Sequence, residues 1–219
     1  MKHIVIFVKY PQAGKVKTRL GAQIGHEHAA ALYRIFIDKT FELVKQTSAY
    51  AASVAFTPEY LADKFHALIP PEFKAFPQID GDLGVRMLKA MQAVQLSGAK
   101  KIVVLGSDSP TLPASFIDRA FDRLDLNDLV LGPAEDGGYY LVGVKKPHEV
   151  LFQNIEWSSP AVLQTTLQLA AENRLSCHLL PNWYDVDDID TLKRAAADDE
   201  RGDIQTYLNT YLDNTCKNP

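Results

Sequence analysis

"KIVVLGSDSPTLP" occupies residues 101–113, and its first half decides the fold. A run of β-branched and aliphatic residues with almost no polar interruption reads as a strand buried on both faces, the pattern of a parallel sheet. Working outward, similar runs recur at 3–8 ("HIVIFV"), 52–56 ("ASVAF"), 73–78 ("FKAFPQ"), 128–133 ("DLVLGP"), 139–144 ("YYLVGV") and 177–181 ("CHLLP"). Between them lie segments with helical spacing: 26–46, 83–96, a helix opened by Pro113 and Ser115, 160–173, and a terminal region covering 189–197 and 203–212. A shorter amphipathic segment runs from Glu59 to Leu68. This alternation calls for an α/β fold, a mostly parallel sheet with helices on both faces. No linker, repeat or low-complexity tract divides the 219 residues, so one domain, 1–219, is expected. In such sheets ligands sit beyond the carboxyl ends of the strands. The loops at 9–25, 78–84, 106–113, 133–138 and 182–190 therefore carry the interest.

Composition narrows the function. A net charge of -4 and a pI near 5.9 argue against a nucleic-acid binder. Cys177 and Cys216 lack metal-ligand spacing and read as packing or surface thiols. The histidines, His26 and His28 among them, form no metal pattern. No apolar run is long enough for a leader or a membrane span, which points to a soluble cytoplasmic protein.

The loop after the first strand, "YPQAGKVKTRLG" (10–21), is cationic and glycine-containing but does not have Walker spacing. Gly14 permits close backbone approach, Lys17 is a mobile point charge, and Arg19 can grip phosphate oxygens bidentately. A solvated basic turn is the alternative. In "GSDSP" Asp108 stands two residues past a buried strand, flanked by Ser107. It can hold Mg²⁺ or cap the following helix. "AEDGG" offers Glu135, Asp136, Gly137 and Gly138, either as a tight turn or as ligand contacts. In "YDVDDID" an extended start puts Asp185 and Asp187 on one side and Val186 on the other. Asp187 is the candidate second metal ligand, with Asp185 in reserve. Gly81 and Asp82, in "GDLGVRM", open a helix whose N–H groups can receive a phosphate or ribose oxygen. Trp157 and Ser158 are packing and capping residues or an acceptor-site wall. There is no Gly-x-Ser-x-Gly elbow and no cysteine with a dedicated histidine, so covalent catalysis has little support.

Taken in order, "PQAGKVKTRLG", "GDLGVRM", "GSDSPTLP", "GPAEDGGYYLVG", "WSSPAVL" and "YDVDDIDTL" resemble a bacterial family of glycosyltransferase-like proteins, DUF2064. That family is similar to the nucleotide-diphospho-sugar transferase superfamily, with a GT-A-type, Rossmann-like three-layer sandwich. The resemblance implies nucleotide binding around Lys17 and Arg19, metal binding at Asp108 and Asp187, and donor or acceptor contacts at Asp136, Gly137 and Gly138. Two departures stand out. "SDS" carries one aspartate where the superfamily has Asp-x-Asp, and Asp188-Ile189 replace a customary Thr-Pro.

The implied cofactor is Mg²⁺ or Mn²⁺, and the implied partners are a nucleoside triphosphate or nucleotide sugar and a small-molecule acceptor. Nucleotidyl transfer is the leading expectation, with Lys17, Arg19, Asp108 and Asp136 as catalytic candidates. Glycosyl transfer, with Glu135 or Asp136 as base, and non-catalytic nucleotide binding are the alternatives. Nucleobase, acceptor and oligomeric state are not readable from the residues.

Overall fold

The computed structural model describes residues 1–47 and 50–212. Cys216 lies outside the described residues. Seven strands form one sheet in the order β3-β2-β1-β4-β6-β5-β7. These are β1 (Lys2–Lys9), β2 (Ala51–Thr57), β3 (Lys74–Pro77), β4 (Lys101–Leu105), β5 (Leu129–Pro133), β6 (Tyr139–Val144) and β7 (Cys177–Leu179). All neighbours are parallel except β6, which runs antiparallel to both β4 and β5. The fold is thus a mostly parallel mixed sheet of the α/β class.

Helices cover both faces. On one lie α2 (His26–Gln46), α3 (Ala62–Leu68), α5 (Ala114–Arg123), α7 (Ile189–Asp198) and α8 (Asp203–Tyr211). Their core residues, such as Phe36, Phe65, Phe121 and Leu192, meet Ile4, Ile6, Val103 and Leu105 of the sheet. On the other lie α4 (Leu83–Leu96) and α6 (Val162–Glu172), packing Met87, Met91 and Ala170 against Val5, Ile102, Val104 and Val142. Successive residues of β1 and β4 thus feed opposite layers. That explains why these runs are continuously apolar rather than alternating.

The remaining helix, α1 (Thr18–Ile24), lies inside the segment expected to be loop. Its seven residues carry no side-chain N-cap bond and no acidic first turn. What holds it is burial of Leu20 and Val16, both at most 5% exposed. Among the described residues no helix is long and apolar enough to cross a membrane.

Candidate active site

The carboxyl ends of β1 and β4 point the same way, and the loops leaving them meet the loop that follows β7. Asp108 and Val186 are joined by a backbone bond, Val186 N–H to Asp108 C=O at 2.9 Å. Val186 itself is fully buried. The alternation expected from the sequence follows: the core holds Val186, and Asp185 and Asp187 project to the other side. A cleft of about 590 Å³ opens there, and Arg19, Asp108, Asp136, Asp185 and Asp187 all line it. A smaller cleft of about 260 Å³ shares Lys9, Arg19, Tyr33, Asp108 and Asp187 with it and adds Lys15, Lys17 and Thr18. Residues up to 170 positions apart in the chain thus face one space.

The electrostatics are concentrated. Lys17 Nζ pairs with Asp108 and also donates to Asp187 Oδ1 at 3.1 Å, and Arg19 pairs with the other oxygen of Asp187. The Lys17 side chain is 4% exposed, whereas that of Arg19 is 72% exposed. Burial alone would depress the Lys17 ammonium, but the charges of Asp108 and then Asp187 outweigh it and hold the group well above the ordinary lysine value.

Asp185 has the opposite environment. Burial first, and then the neighbouring Asp108 carboxylate, push its carboxyl up to about 7. The Ser109 hydroxyl, hydrogen-bonded to Asp185, and the Lys17 charge only partly offset that rise. Three carboxylates therefore crowd one side of the cleft, and one buried ammonium lies among them.

Other residues singled out in the sequence are distributed as follows. Asp136 lines the cleft and accepts the Gly138 N–H at 2.9 Å, and Gly138 lines it too. Glu135 does not. It is exposed on the outside of the same turn, where both oxygens bond Arg194 at 2.9 Å. Gly137, at φ 91°, abuts Pro160, and its carbonyl accepts the Leu163 N–H at 2.9 Å. Its work is to dock the 157–161 segment.

Trp157 and Ser158 line the cleft, Ser158 in the left-handed region at φ 73°. Trp157 meets Tyr139 edge-to-face at 6.3 Å and lies over Gly84, where a Cβ would come within 2.6 Å of Trp157 Cζ2. Ser107 lines the cleft and bonds the Tyr33 hydroxyl at 2.7 Å. Gly14, Gly81 and Asp82 line neither cleft. Gly14 supplies a turn at φ 72°, and Asp82 caps α4 by accepting the Val85 N–H at 2.8 Å. From that segment, Leu83, Arg86 and Met87 reach the cleft instead.

Sequence reasoning passed over Lys9, Tyr33 and Gln78, which also form the walls. Lys9 had a usable signal as the last residue of the first strand. Tyr33 had none, because it shares its helix stripe with Leu32 and Phe36. Gln78 is fixed by Ala55 C=O, to which its Nε2 donates at 2.8 Å, and by Arg86 Nη1, 3.2 Å from its Oε1.

The fold, and a cleft placed at the carboxyl ends of parallel strands, define a protein with the nucleotide-diphospho-sugar transferase fold. The chain belongs to the family described as "Uncharacterized protein conserved in bacteria (DUF2064)", whose model matches residues 40–159. A solved structure described as a "putative nucleotide-diphospho-sugar transferase" from Desulfovibrio desulfuricans G20 is 34% identical. That match covers 95% of this chain and 94% of that one, with a TM-score of 0.88.

A nucleotidyl transferase from Methanothermobacter thermautotroptrophicus superposes with a TM-score of 0.61 at 14% identity, covering 96% and 99% of the two chains. The CMP:2-keto-3-deoxy-manno-octonic acid synthetase complexed with CTP gives 0.58 at 12% identity, covering 90% and 97%. At those identities the likeness is one of fold. No curated protein matches the chain.

Proposed function

We propose that the chain, acting as one domain, transfers a nucleotidyl group from a nucleoside triphosphate to a phosphorylated small-molecule acceptor. An acceptor phosphate oxygen attacks the α-phosphorus, the bond from that phosphorus to the bridging oxygen breaks, and pyrophosphate leaves. One observation carries this reading: Lys17 and Arg19, at the start of α1, meet Asp108 and Asp187 at one cleft. A departing pyrophosphate needs cationic donors where its charge develops, and both cations are held at that place by the two carboxylates. Arg19, mostly exposed at the mouth, is suited to a bidentate grip on the outer phosphates.

The donor set fits a hard divalent cation. Asp108, Asp187 and Asp185 offer only oxygen, and Asp185, raised first by burial and then by the Asp108 charge, lines the same cleft. Among the described residues no three carboxylate, histidine or cysteine side chains are gathered as a ready ligand set. Mg²⁺ usually keeps several waters and takes further oxygens from substrate phosphate, so it would not need a third protein ligand. Bound there, the ion would neutralise charge on the phosphates. The fold shared with a nucleotidyl transferase and with a CTP-bound synthetase supports the same reading.

A second reading, glycosyl transfer from a nucleotide sugar, is favoured by the other end of the cleft. There Trp157, Tyr139, Ser158, Ser159 and Asp136 line the walls. An indole face suits a neutral sugar ring better than a phosphate. Asp136 is then the base, since Glu135 is engaged by Arg194 outside the cleft.

Product analysis separates the readings. Incubation with nucleoside triphosphates, Mg²⁺ and a panel of sugar phosphates should release pyrophosphate. Release of a nucleoside diphosphate from nucleotide sugars would replace this reading with the second. Ligand-induced stabilisation with neither product would leave a binding protein.

A further inference from the structure

Lys17 is placed oddly for a residue whose only task is to hold phosphate. Its ammonium is already committed to Asp108 and Asp187, and its side chain is 4% exposed. Its backbone, at φ 44° and ψ 48°, lies in the left-handed region with no side-chain cap at that helix start. A non-glycine residue is strained there and persists only where its surroundings hold it. Here the surroundings are Val16 and Leu20, buried on either side, and the two carboxylates that clamp the ammonium. A divalent cation shared by Asp108 and Asp187 would need the space between their Oδ1 atoms, which Nζ fills. An ammonium driven out of that space into the interior without a new partner would be strongly disfavoured. The adjoining smaller cleft, where Lys15, Lys17, Thr18 and Arg19 gather, offers somewhere for a partner to be.

We propose that Lys17 is a resident counter-ion that exchanges between the Asp108–Asp187 pair and a substrate polyphosphate. Divalent cation and polyphosphate then bind interdependently. The cation alone has to displace a buried ammonium, and the polyphosphate alone has to strip two carboxylates of theirs. Together, each supplies what the other removes. The inference rests on the transferase reading for its choice of ligands, but not on any turnover.

The test uses the full-length protein, with no nucleotide present. Free Mn²⁺ is followed by electron paramagnetic resonance, and tripolyphosphate binding in EDTA is followed by isothermal titration calorimetry. Lys17→Met and Lys17→Gln should bind Mn²⁺ about tenfold or more tightly than the wild type, and tripolyphosphate about tenfold or more weakly. Lys17→Arg, which keeps the charge, should bind Mn²⁺ no better than the wild type does.

A residue with a merely structural role would weaken both ligands together, and that result overturns the proposal. So does unchanged Mn²⁺ affinity in both neutral variants. In the wild type, ¹³C-labelled at the lysine ε-carbon, Mg²⁺ with tripolyphosphate should shift the Lys17 resonance while Mg²⁺ alone leaves it in place. A shift with Mg²⁺ alone also contradicts the proposal, and this arm needs no variant to fold. Opposite changes in the two affinities without any pyrophosphate release would leave the exchange standing and remove nucleotidyl transfer.

Discussion

Two buried lysines in this protein each lie between two aspartates, and they differ in everything else. Lys39 on α2 pairs with Asp199 at 2.6 Å and with Asp203 at 2.8 Å, at a separate cleft of about 470 Å³ between α2 and α8. The Asp199 carboxylate also accepts the Ile204 N–H at 3.0 Å and the Arg201 N–H at 3.2 Å. Burial alone would raise its carboxyl, but those N–H donors and the lysine more than offset it and hold it below the ordinary value. Every charge there has its partners, and the cluster ties α2 to the start of α8.

Around Lys17 the balance is unfinished. A third carboxylate, Asp185, is forced upward, and the lysine backbone is strained. The same ion triad serves cohesion in one place. In the other, on the exchange proposed above, it holds charge for a ligand. Satisfaction of the surrounding hydrogen bonds, not burial, tells them apart.

Four variants bear on that contrast. Asp108→Ala should lower turnover by about 10³-fold or more while leaving a folded protein, as judged by circular dichroism. Near-normal turnover would remove Asp108 from the site. Lys39→Met should behave in reverse. Stranding Asp199 costs about 3–5 kcal/mol of stability, visible as a lower urea midpoint, with kcat/KM within about twofold of wild type once folded. A selective loss of activity there would make the Lys39 cluster part of the machinery.

Arg19→Ala should cost about 10²-fold in kcat/KM with little change in thermal midpoint. A surface pair of this exposure contributes at most about 1 kcal/mol.

The last prediction concerns pH. With its carboxyl at about 7, Asp185 in the folded protein keeps a proton that the unfolded chain releases near its ordinary value. Stability should therefore fall as pH rises from about 4 to 7, and the loss is complete above that window. Asp185→Asn should flatten this part of the profile and make the variant more stable than wild type at pH 8. An unchanged slope in chemical denaturation would show that Asp185 is not under this pressure.

Much of this arrangement was legible in the residues themselves. Buried parallel strands declare themselves by continuous apolar runs, so β1, β4 and β5 were plain. Period-two spacing around Val186 was enough to place Asp185 and Asp187 together. The position of Asp108 just past a buried strand put it at the ligand edge.

What escaped depends on long-range partners or on packing. α1 is too short and too poorly capped to signal itself, and only burial of Val16 and Leu20 forms it. Glu135 looked equivalent to Asp136 until Arg194, 59 residues away, drew it outside. Lys17 looked mobile because its two anchors lie far along the chain. Tyr33 was hidden on an apolar helix stripe, and Gly81 and Asp82 looked like ligand contacts because helix capping and ligand binding use the same residue types.

The most direct measurement is a crystal structure with Mn²⁺ and a non-hydrolysable nucleoside triphosphate, with the metal located by its anomalous signal. The manganese peak should lie between Asp108 and Asp187, with Arg19 on the outer phosphates and Lys17 turned from the aspartates to a phosphate oxygen. A triphosphate bound elsewhere, or an anomalous peak remote from both aspartates while Lys17 keeps its two partners, would contradict it.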